Sequence, residues 1–243
     1  MPPLAETGAC TSFRPSDGAR HEQGFKAFRH RSTVMEDLRH EYGASLDEGL
    51  ISTTAPLALL QTWVDEAVAA GVADPNAMCL ATIGTDGTPR SRMVLCKGIE
   101  EDAVLFYTNM TSDKATHLLA RPEASTTFWW PDAERSVRVV GHATPLDRDE
   151  VERYFATRPR SSQVGAWVSD QSTPIADRAA LEAKHVAVQE RFASGEVPCP
   201  PQWGGFRLHV REVEYWAGRP ARLHDRVRLR AEASGWSMER LQP

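Results

Sequence analysis

Three basic side chains alternate with other residues near the C-terminus of this 243-residue chain: Arg222, His224 and Arg226. Alternate residues of an extended strand point to one face of a sheet, so this spacing predicts a row of cationic groups. The apolar segment 213–216 predicts the preceding strand, and residues 218–220 predict the turn between them. Guanidinium groups bind phosphates and carboxylates through paired hydrogen bonds. The row therefore lies on a predicted hairpin and faces either water or an anion.

Two further groups of basic and hydroxyl side chains could complete such a site. The first group surrounds the predicted early strands and the start of a short helix, where free backbone N–H groups favour an anion; it consists of Arg92, Lys97, Thr108, Ser112 and Lys114. The second group joins the C-terminal row and consists of Tyr154, Arg158 and Ser162. Two anion sites indicate two phosphorylated small molecules or one large one. The alternative for each group is a solvated basic face.

Composition and motifs exclude several other classes of function. The formal charge is −5, which argues against a general nucleic-acid binder. The four cysteines have neither disulfide nor metal spacing, and HExxH, CxxC, GxSxG, GxGxxG and P-loop motifs are absent from the sequence. His117, His142 and His209 are interpreted as structural. The sequence contains no apolar stretch of about 18–20 residues, so we expect no membrane span, and a reducing cytoplasm is the expected location.

The elements that must position these residues are mainly antiparallel strands with flanking helices. We expect residues 1–34 to be a disordered extension and 35–243 to form one domain. Periodicity and turn signals predict strands at 78–83, 89–97, 103–108, 124–130, 136–145, 204–210, 213–217, 222–230 and 236–241. They predict helices at 35–42 (one or two turns), 55–70, 112–120, 147–158 and 174–193, with 160–163 as a polar loop. The meander favours a small closed barrel over a Rossmann sheet.

Capping signals accompany these helices. Thr53 or Thr54 is the expected cap of the helix at 55–70, and Ser112 of the helix at 112–120. Asp147 with Glu150 predicts a capping box.

Several longer stretches resemble the pyridoxamine/pyridoxine 5′-phosphate oxidase family, from about Met35 to Pro243. The resemblance rests on Leu38-Arg39-His40-Glu41-Tyr42, Asp74-Pro75-Asn76-Ala77-Met78, Arg92-Met93-Val94-Leu95-Cys96-Lys97, Phe106-Tyr107-Thr108-Asn109, Tyr154-Phe155 with Arg158-Pro159-Arg160, Ser162-Gln163-Val164-Gly165-Ala166-Trp167, Trp203-Gly204-Gly205-Phe206-Arg207 and Arg222-Leu223-His224-Asp225-Arg226. It implies a homodimeric FMN-binding split β-barrel, with the flavin between the subunits.

The resemblance also implies a role for each matching residue. FMN would be held by Arg92, Met93, Val94, Lys97, Tyr107, Thr108, Lys114, Ser136, Gln171, Ser172, Trp216 and Arg226. The substrate phosphate would be held by Lys97, Tyr154, Arg158 and Ser162. Arg222 and His224 would be the catalytic pair over the pyridine ring, and Arg39 and Tyr42 would form a lid on the same pocket. The family often has a basic residue where Asp113 stands and usually glutamine where Ser136 stands.

The implied reaction is oxidation of pyridoxamine or pyridoxine 5′-phosphate to pyridoxal 5′-phosphate, with O₂ reduced to hydrogen peroxide. Related flavin oxidases of phenazine biosynthesis share the scaffold, so oxidation of another aromatic substrate is one alternative. A non-catalytic protein that binds flavin or pyridoxal phosphate is another. The resemblance favours the vitamin B6 reaction because Lys97 and the segment from Tyr154 to Arg160 are both present.

Overall fold

The computed structural model describes residues 40–243, which contain nine strands and five α-helices. The strands are β1 (Ala77–Ile83), β2 (Pro89–Leu95), β3 (Gly98–Ile99), β4 (Ala103–Asn109), β5 (Glu123–Trp130), β6 (Arg135–Pro145), β7 (Trp203–Ala217), β8 (Asp225–Glu232) and β9 (Gly235–Arg240). The helices are α1 (Ala58–Ala69), α2 (Asp113–Ala120), α3 (Arg148–Thr157), α4 (Arg160–Val168) and α5 (Arg178–Arg191).

The long strand β7 divides the sheet into two branches. The strand order is β2-β1-β5-β6-β7-β4-β3, and every pairing is antiparallel. The first half of β7 pairs with β4, its second half pairs with β8, and β6 runs along its other side. Within residues 40–243 the ladder ends at β2, β3 and β9 rather than closing. The antiparallel β prediction with flanking helices is confirmed, in the form of a curled half-barrel instead of a closed one.

A β-bulge lies in the middle of β7. The register against β6 shifts between Val140 and Gly141, which leaves Arg211 as the extra residue of β7. Gly141 is required here, since a Cβ atom would lie 2.1 Å from the His209 carbonyl oxygen. The predicted strands 204–210 and 213–217 are therefore one bent strand, because bulges bend and twist the strand that carries them.

The main core lies between one face of the sheet and α1. Tyr215 is fully buried in it and contacts the Trp63 ring edge-to-face at 5.5 Å. Its hydroxyl donates to the Pro56 carbonyl oxygen (2.7 Å) and accepts from the Leu60 N–H (3.2 Å). The expected cap from Thr53 or Thr54 is wrong: Leu57 is the N-cap and makes no side-chain cap bond. Tyr215 instead satisfies one free N–H group of the first turn.

A second core packs α3 and α4 against the start of β7, and it corrects the prediction of a loop at 160–163. These residues form the first turn of α4, because extended Pro159 ends α3 and caps the next helix. The Pro159 carbonyl oxygen accepts from the backbone N–H groups of Ser162 and Gln163. The Arg160 guanidinium binds the carbonyl oxygens of Phe192 and Gly195, which fixes this turn to the segment after α5.

Other helix boundaries also differ from their predictions. Asp147 is the N-cap of α3 but makes no side-chain cap bond, and Glu150 pairs with Arg207, so the predicted capping box is absent. The predicted helix 174–193 begins at Arg178, where the Asp177 carboxylate accepts from the Ala180 N–H at 2.7 Å. Of the predicted turns at 35–42, residues 35–39 lie outside the described residues and 40–42 are not helical.

Candidate functional site

One cavity of about 460 Å³ brings together members of both predicted groups of anion-binding residues; of the first group, Arg92 and Ser112 do not line it. It lies between β2, β4, the start of α2 and the α3–α4 region. Its lining includes Met93, Val94, Lys97, Tyr107, Thr108, Lys114, Tyr154, Arg158, Ser162 and Gln171, and also Trp203. Lys97 reaches this position because its N–H pairs with the Leu105 carbonyl oxygen of β4 (2.8 Å). We call this cavity the first half-site.

Lys114 is the buried cation at one end of the first half-site. Its Nζ atom donates to Gln171 Oε1 (2.8 Å), Thr108 Oγ1 (3.1 Å) and Ser112 Oγ (3.2 Å). Burial, reinforced by the nearby positive charge of Arg92, lowers the pKa of Lys114 to about 8, and Asp113 opposes this shift. Ser112 is the N-cap of α2, but its hydroxyl donates to the Asn109 carbonyl oxygen instead of capping the helix. At the first turn of α2, the Asp113 N–H donates instead to Ser172 Oγ at 3.3 Å, a residue that follows α4 in the chain.

An adjoining cavity of about 490 Å³ extends this end of the site. Its lining includes Arg92, Asp113, Lys114, Gln171 and Ser172, so it shares Lys114 and Gln171 with the first half-site. Arg92 Nη1 donates to Thr82 Oγ1 at 2.7 Å, which directs the guanidinium across the sheet. Arg92, Lys114 and Gln171 have charged or amide nitrogens that can donate to an anion, which suits a phosphate.

An aromatic stack with a guanidinium forms the other end of the first half-site. The Tyr107 and Tyr154 rings stack with centroids 3.9 Å apart, and the Trp203 ring lies parallel at 5.2 Å from Tyr107. Arg158 lies over Trp203 at 4.7 Å, and its Nη1 atom is buried without a hydrogen-bond partner. Burial raises the pKa of Tyr107 to about 12, so this phenol remains a neutral donor. An unpaired buried N–H is costly, and an anion at this position would satisfy it.

A separate cavity of about 420 Å³ contains other predicted residues, and we call it the second half-site. It lies on the face of β5, β6 and β7 that points away from the main core. Tyr42, Ser136 and Trp216 line it. The His224 ring packs at its edge, 5.3 Å from Tyr42 and 4.9 Å from Trp216. The two half-sites have no lining residue in common.

The row of alternating cations is only partly as predicted. Arg222 ends a short 3-10 turn (Pro220–Arg222), and β8 begins at Asp225, so the predicted strand over 222–230 starts too early. Ala221 and Arg222 both have positive φ (54° and 61°), which reverses the chain before the strand. Arg222 is exposed, while the Nδ1 atom of His224 accepts from the Arg219 N–H at 3.1 Å. Arg39 lies outside the described residues.

Arg226 lies on β8 as predicted, and its partner is a residue that was not predicted. Its Nε atom donates to Glu214 Oε1 at 2.8 Å, and the Glu214 side chain is almost fully buried. Glu214 also pairs with Arg138, and both of these residues line the second half-site. Sequence reasoning missed both residues. The signal that could have found them is their spacing of two from Ser136 and Trp216, which puts each pair on one face of its strand.

Comparisons with known proteins agree with the resemblance. A family model described as pyridoxamine 5′-phosphate oxidase matches residues 64–192, and a pyridoxine 5′-phosphate oxidase C-terminal dimerisation region matches 203–243. A pyridoxine/pyridoxamine 5′-phosphate oxidase of Burkholderia cenocepacia is 46% identical over 215 residues, covering 87% of this chain and all of the relative. One of a Nocardioides species is 48% identical over 207 residues, covering 85% of this chain and 96% of the relative.

Two solved structures are also similar. The crystal structure of PhzG from Burkholderia lata, in complex with tetrahydrophenazine-1-carboxylic acid, matches with a TM-score of 0.78 and 30% identity, covering 84% of this chain and all of PhzG. A pyridoxamine 5′-phosphate oxidase-related, FMN-binding protein from Nostoc punctiforme matches with a TM-score of 0.62 and 18% identity, covering 78% of this chain and 98% of that one. The second likeness concerns the fold alone.

Proposed function

The chain belongs to the pyridoxamine 5′-phosphate oxidase family, and we propose that it oxidises pyridoxamine and pyridoxine 5′-phosphate to pyridoxal 5′-phosphate with FMN and O₂. The observation that carries this proposal is the buried, unpaired Nη1 atom of Arg158 beside the Tyr107–Tyr154 stack. It provides a second anion site in the same cavity as the cations around α2. A flavin oxidase with an unphosphorylated substrate has no need of that second site.

The residues around α2 fit the phosphate of FMN. Lys114 and Arg92 provide positive charge, and the start of α2 faces the same cavity, where the Asp113 N–H donates to Ser172 Oγ. Lys114 donates to Gln171 and Thr108, and the Thr108 hydroxyl donates to Gln171, which holds the Lys114 ammonium group in place before a ligand arrives. When bound, FMN supplies the acceptor for the substrate hydride and the reaction of the reduced cofactor with O₂.

The other end of the cavity fits the phosphate of the substrate. Arg158 and Ser162 can donate to it, and Lys97, between β2 and β3, adds a third donor. Tyr154 stays protonated because burial raises its pKa, so its hydroxyl can donate as well. Fixing the phosphate at one end orients the 4′ carbon at the other and makes the hydride transfer effectively intramolecular. Arg222 and His224 are assigned to hold that reacting end.

A homodimer with a shared active site is part of the proposal. Trp203 of the first half-site and Trp216 of the second are thirteen residues apart on β7, which is roughly 40 Å along an extended strand. That distance exceeds the length of FMN. One FMN molecule therefore cannot contact both half-sites of the same chain. The match of residues 203–243 to a dimerisation region supports a second copy as the source of the missing half.

The shared site can be tested by mixing two inactive variants. Arg158→Met inactivates the first half-site and Arg222→Ala inactivates the reacting end. If the site is shared, heterodimers formed by denaturing and refolding a mixture contain one intact site, which gives about a quarter of wild-type activity. A mixture that stays inactive, while each variant binds FMN, contradicts a shared site.

The similarity to PhzG supports a second candidate, oxidation of a tetrahydrophenazine-type carboxylic acid. One oxygen-electrode experiment separates the candidates. With added FMN, the proposed function gives oxygen uptake with pyridoxamine 5′-phosphate and formation of pyridoxal 5′-phosphate. The second candidate gives bound FMN and uptake only with the phenazine precursor. Bound FMN without uptake on either substrate refutes both and leaves a binding protein.

A further inference from the structure

Arg138 is a cation of the second half-site that none of the roles above includes. It lies on β6 two residues after Ser136 and therefore on the same face of the sheet. Both residues line the cavity with Trp216. Serine is too short to reach far into a cavity of about 420 Å³, whereas the guanidinium of Arg138 stands on a much longer side chain.

A buried carboxylate fixes the orientation of this guanidinium. Glu214 is directly opposite Arg138 in the β6–β7 register, and only 6% of its side chain is exposed. One Glu214 oxygen pairs with Arg138 Nη2 and the other accepts from Arg226 Nε at 2.8 Å. Charge-assisted bonds of this kind hold both guanidiniums in single orientations. Glu214 is thus a positioning residue that connects two arginines at one cavity.

The balance of charge in this network favours a ligand with acceptor atoms. Arg138 is also 3.5 Å from Glu212, which pairs in turn with Arg228 and Arg230. Glu239 pairs with the same two arginines. Among these strands four guanidiniums share three carboxylates, which leaves one positive charge in excess. Arginine only donates hydrogen bonds, so the ligand edge that it contacts must present acceptors.

We propose that Arg138, oriented by Glu214, contacts the acceptor-bearing edge of the flavin ring and stabilises the negative charge that FMN gains on reduction. This inference rests on the proposed function, because it requires bound FMN; Ser136 and Trp216, which line the same cavity, are residues that the resemblance implies contact FMN. The acceptors of the flavin ring are the carbonyl oxygens and ring nitrogens of its pyrimidine half. A fixed cation beside that half stabilises reduced FMN more than oxidised FMN.

The test measures two properties of the holoenzyme: the dissociation constant of oxidised FMN and the midpoint potential of the bound flavin. Arg138→Met removes the charge and keeps the length of the side chain. We expect reduced FMN to bind about tenfold more weakly relative to oxidised FMN, which for a two-electron couple is a midpoint potential about 30 mV more negative. Arg138→Lys keeps the charge and should keep most of the wild-type potential.

Arg230→Met is the matched control. Arg230 belongs to the same network through Glu212, and its side chain is 49% exposed against 44% for Arg138, but it does not line the cavity. Its potential should stay at the wild-type value. An unchanged midpoint potential in Arg138→Met overturns the inference. An equal shift of the potential in Arg138→Met and Arg230→Met also overturns it, because such a shift would reflect only the loss of one positive charge from the protein.

The outcome also separates this inference from the proposed function. If the wild-type protein binds FMN and oxidises pyridoxamine 5′-phosphate but Arg138→Met keeps its potential, only the inference fails. If the wild-type protein does not bind FMN, the proposed function fails first. A circular-dichroism melt of each variant confirms that the measurements are made on folded protein.

Discussion

Arg158→Met should separate stability from activity. In the free protein, Nη1 of Arg158 is buried without a partner, which costs about 1–3 kcal/mol. The stacking of the guanidinium on Trp203 at 4.7 Å returns about 0.5–2 kcal/mol. Methionine keeps an apolar side chain over the indole and removes the unpaired donor. The free energy of unfolding should therefore change by less than about 1 kcal/mol, or rise.

The same change should weaken recognition of the substrate phosphate. A hydrogen bond to a charged group is worth about 1.5–3 kcal/mol, so kcat/KM for pyridoxamine 5′-phosphate should fall roughly 10- to 150-fold. The fall should be absent with unphosphorylated pyridoxamine at concentrations that give measurable oxygen uptake. FMN affinity, measured by fluorescence quenching, should be unchanged.

Arg158→Lys is the control for charge. It should recover part of the lost kcat/KM, because it restores the cation but not the stacked, forked geometry. The assignment of Arg158 to the phosphate would be refuted if Arg158→Met lowered kcat/KM equally for pyridoxamine and pyridoxamine 5′-phosphate. A lower free energy of unfolding of this variant in urea denaturation would also refute it.

Three further changes test other parts of the structure. The affinity for FMN should fall as the pH rises above about 8, by up to about tenfold per pH unit, because Lys114 then loses the charge that attracts the phosphate. A Lys114→Met variant should lack this pH dependence. A wild-type affinity that is constant from pH 7 to 9 would contradict the prediction. The unliganded protein should gain stability between about pH 8 and 10.5. The pKa of Lys114 is lowered in the folded protein, so the unfolded chain binds more protons than the folded one in this range. Tyr215→Phe should cost about 1–3 kcal/mol in urea unfolding, because the buried Leu60 N–H and Pro56 carbonyl lose their partner, and an unchanged midpoint would mean that water replaces the hydroxyl. Asp113→Asn should tighten FMN binding roughly two- to fivefold at low salt, since Asp113 is an exposed negative charge at the phosphate cavity; weaker binding would show that Asp113 has a different role.

The sequence predicted the first half-site well because its determinants are local. Thr108 is the penultimate residue of β4, and Lys114 follows in the first turn of α2, so a single strand–helix connection brings them together. Tyr154 and Arg158 are four residues apart at the C-terminal end of α3, so their proximity is also local. Short-range periodicity contains this information, and long-range packing did not have to be known.

The errors occur where tertiary contacts override local pattern. The segment 160–163 is polar without apolar periodicity, and its helical turn is held by Arg160 binding carbonyl groups more than thirty residues away. Alternation over 222–226 is equally compatible with a strand and with a turn. In the structure the turn comes first, and the His224 ring that follows it packs against Tyr42 and Trp216. Tyr42 is distant in sequence, so no sequence window includes both partners.

The pairing of the cations indicates which part of a ligand each half-site receives. In the first half-site, Lys114 hydrogen-bonds to neutral oxygens and Arg158 has an unpaired donor, so the positive charge there is not neutralised by a bonded carboxylate. In the second, Arg138 and Arg226 share the single carboxylate of Glu214, which neutralises part of their charge. A fully charged phosphate gains most where the charge is not neutralised, whereas a ring with polar edges needs oriented donors and little net charge. On the proposed function, the phosphates therefore belong to the first half-site and the flavin ring edge to the second, so that each ligand would lie across two chains.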